Sequence, residues 1–344
     1  MTIFELIVAQ ELTAYYETMQ KDRAPFLGEE LFPNKKKLGL DLKWLKGSRG
    51  LPVVLKPSAF DAKAIPRDRL TVDKISAEMP FFKESLYIDE ETRQELNKVL
   101  ETGNQTYIDT VVRTIFDDQS TLIDAARAQR ERMRMMALTT GRIDISANGQ
   151  AYSYDYGIPE GHKKTVTTSW SDTDATIIED IRTWMDTVEN DTGVRPVRAV
   201  CSGKTWGYLR KNTEIKNSIF VLSGGQSTVS DARLRNFLVD ELGLQVAVND
   251  KRYKNEAGDD MKYVADDVFV LFPEGALGNT WFGTTPEESD LMTGNAANVS
   301  IVDIGVAVTT TKQTDPVNVE TKVSMITLPD FPTADQIFIA DVSA

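Results

Sequence analysis

A stripe of positions at Ile108, Val112, Ile115, Leu122, Ala126, Met133 and Met136, spaced by fours and threes and broken only by Gln119 and Gln129, commits the middle of this chain to one long amphipathic helix. At 1.5 Å per residue, about 32 residues span about 48 Å, well above the mean helix length. Gly141 supplies the stop. Arg127, Arg130, Arg132 and Arg134 crowd the later turns. They read as cations at the negative dipole end on a solvated face, with a phosphate-binding patch as the alternative.

The 344 residues, 41% of them hydrophobic, suffice for one large core or two moderate ones. No apolar run is long enough to span a bilayer, and the opening segment carries Glu5 and Glu11 without a basic stretch, which argues against a secretory signal and places the chain in a cytosol-like compartment. A single cysteine, Cys201, forms no internal disulfide, and with a single histidine, His162, it cannot build a four-ligand zinc site. Histidine-dependent nucleophilic catalysis would rest on His162 alone. Followed by Lys163 and Lys164, it reads as a solvated surface residue.

Net charge is −13, unevenly distributed. Residues 1–150 carry 22 Lys and Arg against 23 Asp and Glu, residues 151–344 carry 17 against 29, and the two halves are therefore −1 and −12. Within the near-neutral half, Lys35, Lys36, Lys37, Lys43, Lys46 and Arg49 face only Asp41. A basic segment and an acidic body suit attraction between copies of the chain; a solvated loop with a chance charge run is the other reading. A broadly acidic surface disfavours specific nucleic-acid binding.

Apolar residues at helical spacing in the first 20 positions form a short amphipathic arm that ends near Pro25. From 31 to 80, Pro33, Pro52, Pro57, Pro66 and Pro80 punctuate short alternating runs at 38–45 and 52–55, turning at 47–50. With few large apolar side chains, this segment makes no core of its own and must lie on its own body or on a neighbour. Asp89 caps a helix that stops at Gly103. After the long helix come strands at 142–145 and 165–168, then a helix with Ile177, Ile181, Trp184, Met185 and Val188 inward, ended by Gly193. A strand at 196–201, helices around Trp206 and around Leu234, and strands at 244–248, 268–272 and 280–282 complete a mixed α/β subdomain over 172–295. The closing runs 299–304 and 317–328 are β, so strands on either side of the α/β insert are expected to pair.

Ser202-Gly203-Lys204-Thr205 follows a strand and opens a helix, the setting of a phosphate-binding loop. The glycine such a loop needs five residues before the Gly-Lys pair is Arg198, so Ser202 reads as a helix cap and Lys204 as a surface residue. Asp259-Asp260 and Asp266-Asp267 lack the spacing of a calcium loop and read as hairpin-tip acids; Ser223-Gly224-Gly225-Gln226-Ser227 reads as a mobile loop.

Four stretches, in order, carry a likeness. Residues 55–67 hold the proline turn Lys56-Pro57-Ser58 and end on Ile65-Pro66-Arg67. Residues 197–209 place Gly203, Lys204 and Trp206 after a strand; residues 266–283 run through Phe272-Pro273-Glu274-Gly275 to Trp281-Phe282-Gly283; and Asp315-Pro316 leads into the last long strand. Together with the arm, extended basic loop, long helix, α/β insert and closing strands, the chain resembles the capsid protein E family of tailed-bacteriophage major capsid proteins, the phage lambda type, with the Hong Kong 97-like fold.

The resemblance implies an α+β class with an N-terminal arm at 1–33, an extended loop at 34–80, a peripheral domain at 81–171 with a spine helix about 106–139, an axial domain at 172–295, and return strands of the peripheral domain with the C-terminus at 296–344. It implies a head protein that self-assembles into hexamers and pentamers of an icosahedral shell around double-stranded DNA in the host bacterial cytoplasm. No enzymatic activity, catalytic residue, cofactor or metal is expected. Inter-subunit contacts are expected from Lys35, Lys36, Lys37, Lys43, Trp44, Lys46 and Arg49. Expected partners are other copies, separate scaffold and portal proteins and a decoration protein, with DNA enclosed non-specifically and no membrane. The separate scaffold follows from the lack of a large N-terminal scaffolding segment. An encapsulin-type nanocompartment shell is the alternative within the same fold, and a nucleotide-binding phosphohydrolase using Lys204 the alternative from another class.

Overall fold

The long stripe folds as one helix, Gln105–Thr140, in the computed structural model, which describes residues 3–20, 24–45, 74–88, 90–220, 228–292, 297–314 and 317–344. Gly141 stops it at a positive φ of 72°, and a Cβ there would lie 2.4 Å from Ile158 Cδ1, so both the backbone and the neighbour require glycine. The preceding helix Glu90–Thr102 ends at Gly103, as its sequence indicates. The arm is two helices, Ile3–Leu6 and Ala9–Gln20, in place of one.

The chain divides into two compact units. The first comprises 1–42, 77–134 and 279–330; the second comprises 43–76, 135–278 and 331–344. In the first, Asn34–Lys36 pairs in parallel with Thr280–Phe282, which pairs antiparallel with the end of Val317–Pro329. That long strand also pairs with Val306–Thr314, which pairs with Asn298–Val302. Phe81–Tyr87 lies antiparallel to the same long strand, so the strands that flank the α/β insert do pair. Val306, Val308, Val319, Val323 and Met325 form one apolar face, packed with Ile115, Phe116, Leu122 and Ile123 of the long helix and with Leu12 and Tyr16 of the arm. This buried face explains why the helix stripe reads so clearly in the sequence.

In the second unit, a five-stranded sheet runs in the order Lys163–Thr165, Phe338–Asp341, Val268–Phe272, Arg198–Cys201, Gln245–Val248. The helices Ile177–Thr192, Gly203–Lys211 and Asp231–Leu242 pack onto its Ala199, Cys201, Phe269 and Leu271 face. Trp184 stacks between Trp170 and Phe338, with ring centroids 5.5 and 5.3 Å away. A hairpin of Arg142–Ala147 and Gln150–Asp155 turns at Asn148-Gly149, both at positive φ.

Several expectations need correction. The strand expected at 165–168 is Lys163–Thr165. A further strand that the sequence reading does not include, Phe338–Asp341, pairs with Val268–Phe272 in the second unit. His162 is fully buried beside the Phe338 ring, its Nε2 3.1 Å from the Asp191 carboxylate. Its lysine neighbours suggest exposure, but the turn Glu160–His162 points this ring inward. The expected strand at 52–55 and the glycine-rich loop 223–227 lie outside the described residues.

Candidate assembly site at the root of the basic segment

The arginines of the long helix are not a solvated, dipole-facing set: the helix runs six residues past Arg134, and its last turn holds no basic side chain. Arg127, Arg130 and Arg134 are buried. Arg127 donates to both carboxylate oxygens of Glu29, at 2.8 and 3.0 Å, and Arg130 pairs with Asp303 at 2.8 Å. Arg134 donates to Thr280 Oγ1 at 2.8 Å and to Asn34 Oδ1 at 2.6 Å. Glu131, with no solvent exposure, accepts from the Gly28 backbone N–H at 3.0 Å and stands 3.7 Å from Arg134. Burial, with Arg130 adding repulsion, lowers the Arg134 pKa to about 10 despite the attraction of Glu131 and Glu29. The close approach at Gly28 needs glycine, since a Cβ would fall 2.4 Å from Glu131 Oε2. One helix face thus ties down the end of the arm, Leu27–Leu31, and the first residue of the strand Asn34–Lys36.

That strand is the root of the extended segment. Lys35 Nζ lies 5.8 Å from the centre of the Trp281 ring, whose Nε1 donates to Asp330 at 2.8 Å. Asp330 also accepts from Asn279, and burial raises its pKa even though these donors and Lys35 oppose the shift. Lys36 pairs with Glu288 at 2.5 Å. The neighbouring Glu287 is buried against Lys322 and Ser324, at 2.7 and 2.8 Å. Burial alone would raise its pKa, but Lys322 and these hydrogen bonds outweigh burial and hold it below the usual range. The Lys37 backbone N–H donates to Phe282 O at 2.8 Å, and Lys43 is exposed on Asp41–Leu45. Trp44 lies on the same strand; Lys46 and Arg49 lie outside the described residues. Of the basic run, Lys35 and Lys36 therefore hold partners in their own chain, which one-dimensional charge counting does not reveal.

The loop that resembles a phosphate cradle is closed by the protein itself. Ser202 Oγ caps Gly203–Lys211 by accepting from Thr205 N, as the sequence indicates. The Gly203 N–H, which would face a phosphate, donates to Asp250 Oδ1 at 3.0 Å. Lys204 points to Asp267 at 2.7 Å, and Tyr208 donates to the same carboxylate at 2.8 Å. Asp259 lies in the turn between Arg252–Lys254 and Asp260–Lys262, as a hairpin-tip acid. Asp266 and Asp267 do not: Asp266 accepts from Lys262, and Asp267, at φ 65°, directly precedes the strand Val268–Phe272. Among the described residues no cluster of metal-ligating side chains occurs, and no helix is long and apolar enough to cross a membrane. Burial pushes the Cys201 thiol up to about 12, leaving it inert.

The sequence model for phage major capsid protein E matches residues 9–342. Among solved structures, a prophage protein of E. coli CFT073 assigned as a capsid protein is similar at 16% identity, with a TM-score of 0.59 over 98% of this chain and 99% of that one. A phage-related protein from Bordetella bronchiseptica RB50 is similar at 11% identity, with a TM-score of 0.59 over 97% of both chains. The capsid asymmetric unit of cyanophage A-1(L) gives 11% identity and a TM-score of 0.51 over 93% of this chain and 92% of that one. No curated protein sequence matches. These likenesses identify the α+β architecture as Hong Kong 97-like. With a family match over nearly the whole length, the chain belongs to the phage major capsid protein E family and is a structural protein of the phage shell, not an enzyme.

Proposed function

We propose that copies of this chain form hexamers and pentamers that close into an icosahedral shell around double-stranded DNA, assembled in the host bacterial cytoplasm with separate scaffold and portal proteins. The family match over 9–342 carries this reading. In it the long helix and six-stranded sheet take the peripheral position and the α/β unit the axial one, with 34–80 reaching a neighbouring subunit. The basic run divides its work. Lys35 and Lys36 fix the root within their own chain. Lys37, Lys43, Trp44, Lys46 and Arg49 face the neighbour, where the acidic balance of residues 151–344 supplies the opposite charge.

Negative-stain microscopy and sedimentation of the expressed chain, alone and with the phage's scaffold protein, test the reading. Closed shells or capsomers are expected. A chain that stays monomeric at every concentration under both conditions would refute it.

A further inference from the structure

We infer that Leu38 and Leu40 form an apolar tip that seats on a second copy of this chain, between the lysines that steer it there. The inference rests on the shell reading above and names side chains that charge counting passes over. Leu38 is 83% exposed, the most exposed large apolar side chain among the described residues, and Leu40, two residues on, is 45% exposed. Single exposed apolar residues are ordinary; two on one short turn that the fold holds in place are not.

The turn is pinned at both ends. Before it, the Lys37 N–H donates to Phe282 O at 2.8 Å; after it, Leu40 O accepts from the Met79 N–H at 3.0 Å. Gly39 between the leucines takes a φ of 87°, which a side-chain-bearing residue rarely adopts, and Leu42 beyond them is buried. The two leucines are therefore presented by a fixed backbone, so little ordering entropy is lost on docking.

Charge selects the occupant. Within 35–43, Lys37 and Lys43 flank the leucines against Asp41, Lys35 and Lys36 being engaged by Trp281 and Glu288, whereas the whole chain is −13. A second copy offers the acidic surface that attracts this rim, and a shell protein meets many copies of itself. Desolvated leucines would then supply contact strength while the lysines set approach and register.

The test compares Leu38→Glu and Leu38→Met with the parent, and adds Val239→Glu, a like charge placed on another exposed apolar position, in the other unit. Circular dichroism reports folding; sedimentation reports the assembled fraction at fixed concentration. Leu38→Glu should keep the helical signal and lose at least tenfold of its assembly, while Leu38→Met and Val239→Glu assemble like the parent. Assembly of Leu38→Glu at the parent level overturns the inference. So does an equal loss in Val239→Glu, which would make the effect one of added charge, or loss of the helical signal in Leu38→Glu, which would place Leu38 inside the fold. A parent that forms only small oligomers would refute the closed shell, yet their dissociation by Leu38→Glu would still support the tip.

Discussion

Removing the Glu131 carboxylate as Glu131→Ala should be among the most costly single changes in the first unit. Arg134 is 1% exposed in its side chain and keeps its charge in a site that already disfavours it. A guanidinium lowered from 12.5 to about 10 carries about 3 kcal/mol against its charged form, at about 1.4 kcal/mol per tenfold. That figure still includes the attraction of Glu131, so deleting the carboxylate enlarges it and also orphans the Gly28 N–H. Breaking one partner of a buried pair costs about 3 to 5 kcal/mol, against a total stability of about 5 to 15. Replacing both members, as Glu131→Leu with Arg134→Met, removes the stranded charge and should recover most of the loss, although Thr280 and Asn34 lose a donor. Urea midpoints for the parent, Glu131→Leu, Arg134→Met and the double variant form the required cycle. If Glu131→Ala costs under about 1 kcal/mol, or the double variant is the sum of the singles, the two groups are not coupled and the argument fails.

Other outcomes follow from the same geometry. Glu287 is held below the usual range, so its contribution is present above the unfolded pKa and lost as pH falls through the lower, folded one; Glu287→Gln should flatten the acid limb of a pH-stability curve, and an unchanged limb would contradict this. Asp330 is shifted the opposite way, so its charged form costs stability above the folded pKa and the cost disappears on acidification; Asp330→Asn, which keeps an acceptor for Trp281, should melt close to the parent at neutral pH, whereas Asp330→Ala should lose about 1 to 3 kcal/mol. Lys204→Ala should fold and assemble unchanged, and neither it nor the parent should bind ATP in calorimetry, because Asp250 occupies the Gly203 N–H; saturable binding lost in the variant would revive the phosphate-loop reading. Cys201 should resist thiol reagents in the folded protein and react once urea unfolds it; rapid native labelling would contradict its burial.

The parts that were legible in the sequence are those where burial imposes a period. The long helix declares itself because Ile115 and Leu122 pack in one core and Met133 is fully buried, and the strand 268–272 because it is apolar on both faces. Gly103, Gly141 and Gly193 marked helix ends, and each takes a positive φ. What stayed hidden depends on partners distant in sequence. Arg127 meets Glu29 across 98 positions and Arg134 meets Thr280 across 146, so a row of arginines looked solvated. His162 is buried by Phe338, and Lys35 is engaged by Trp281, contacts with no local signature. The Leu38 tip left no signal either, because an exposed leucine in an alternating run reads like any strand residue.

The buried charges and the exposed tip are connected by the cost of order. Exposed ion pairs contribute about 0 to 1 kcal/mol each and are screened over about 8 Å at physiological salt. Fixing one backbone residue costs about 1 to 2 kcal/mol, so a segment ordered only on contact would consume several such pairs before any net attraction remained. Asn34 tied to Arg134, Lys35 over Trp281 and Lys36 on Glu288 place that cost in folding instead. Weakening the root should then weaken assembly even when no surface contact is touched. Lys36→Met removes a partly exposed pair and should change the melting midpoint little, yet lower assembly by loosening the turn at Leu38. Sedimentation at matched concentration decides: a Lys36→Met chain that assembles like the parent would mean that the root is not what orders the contact.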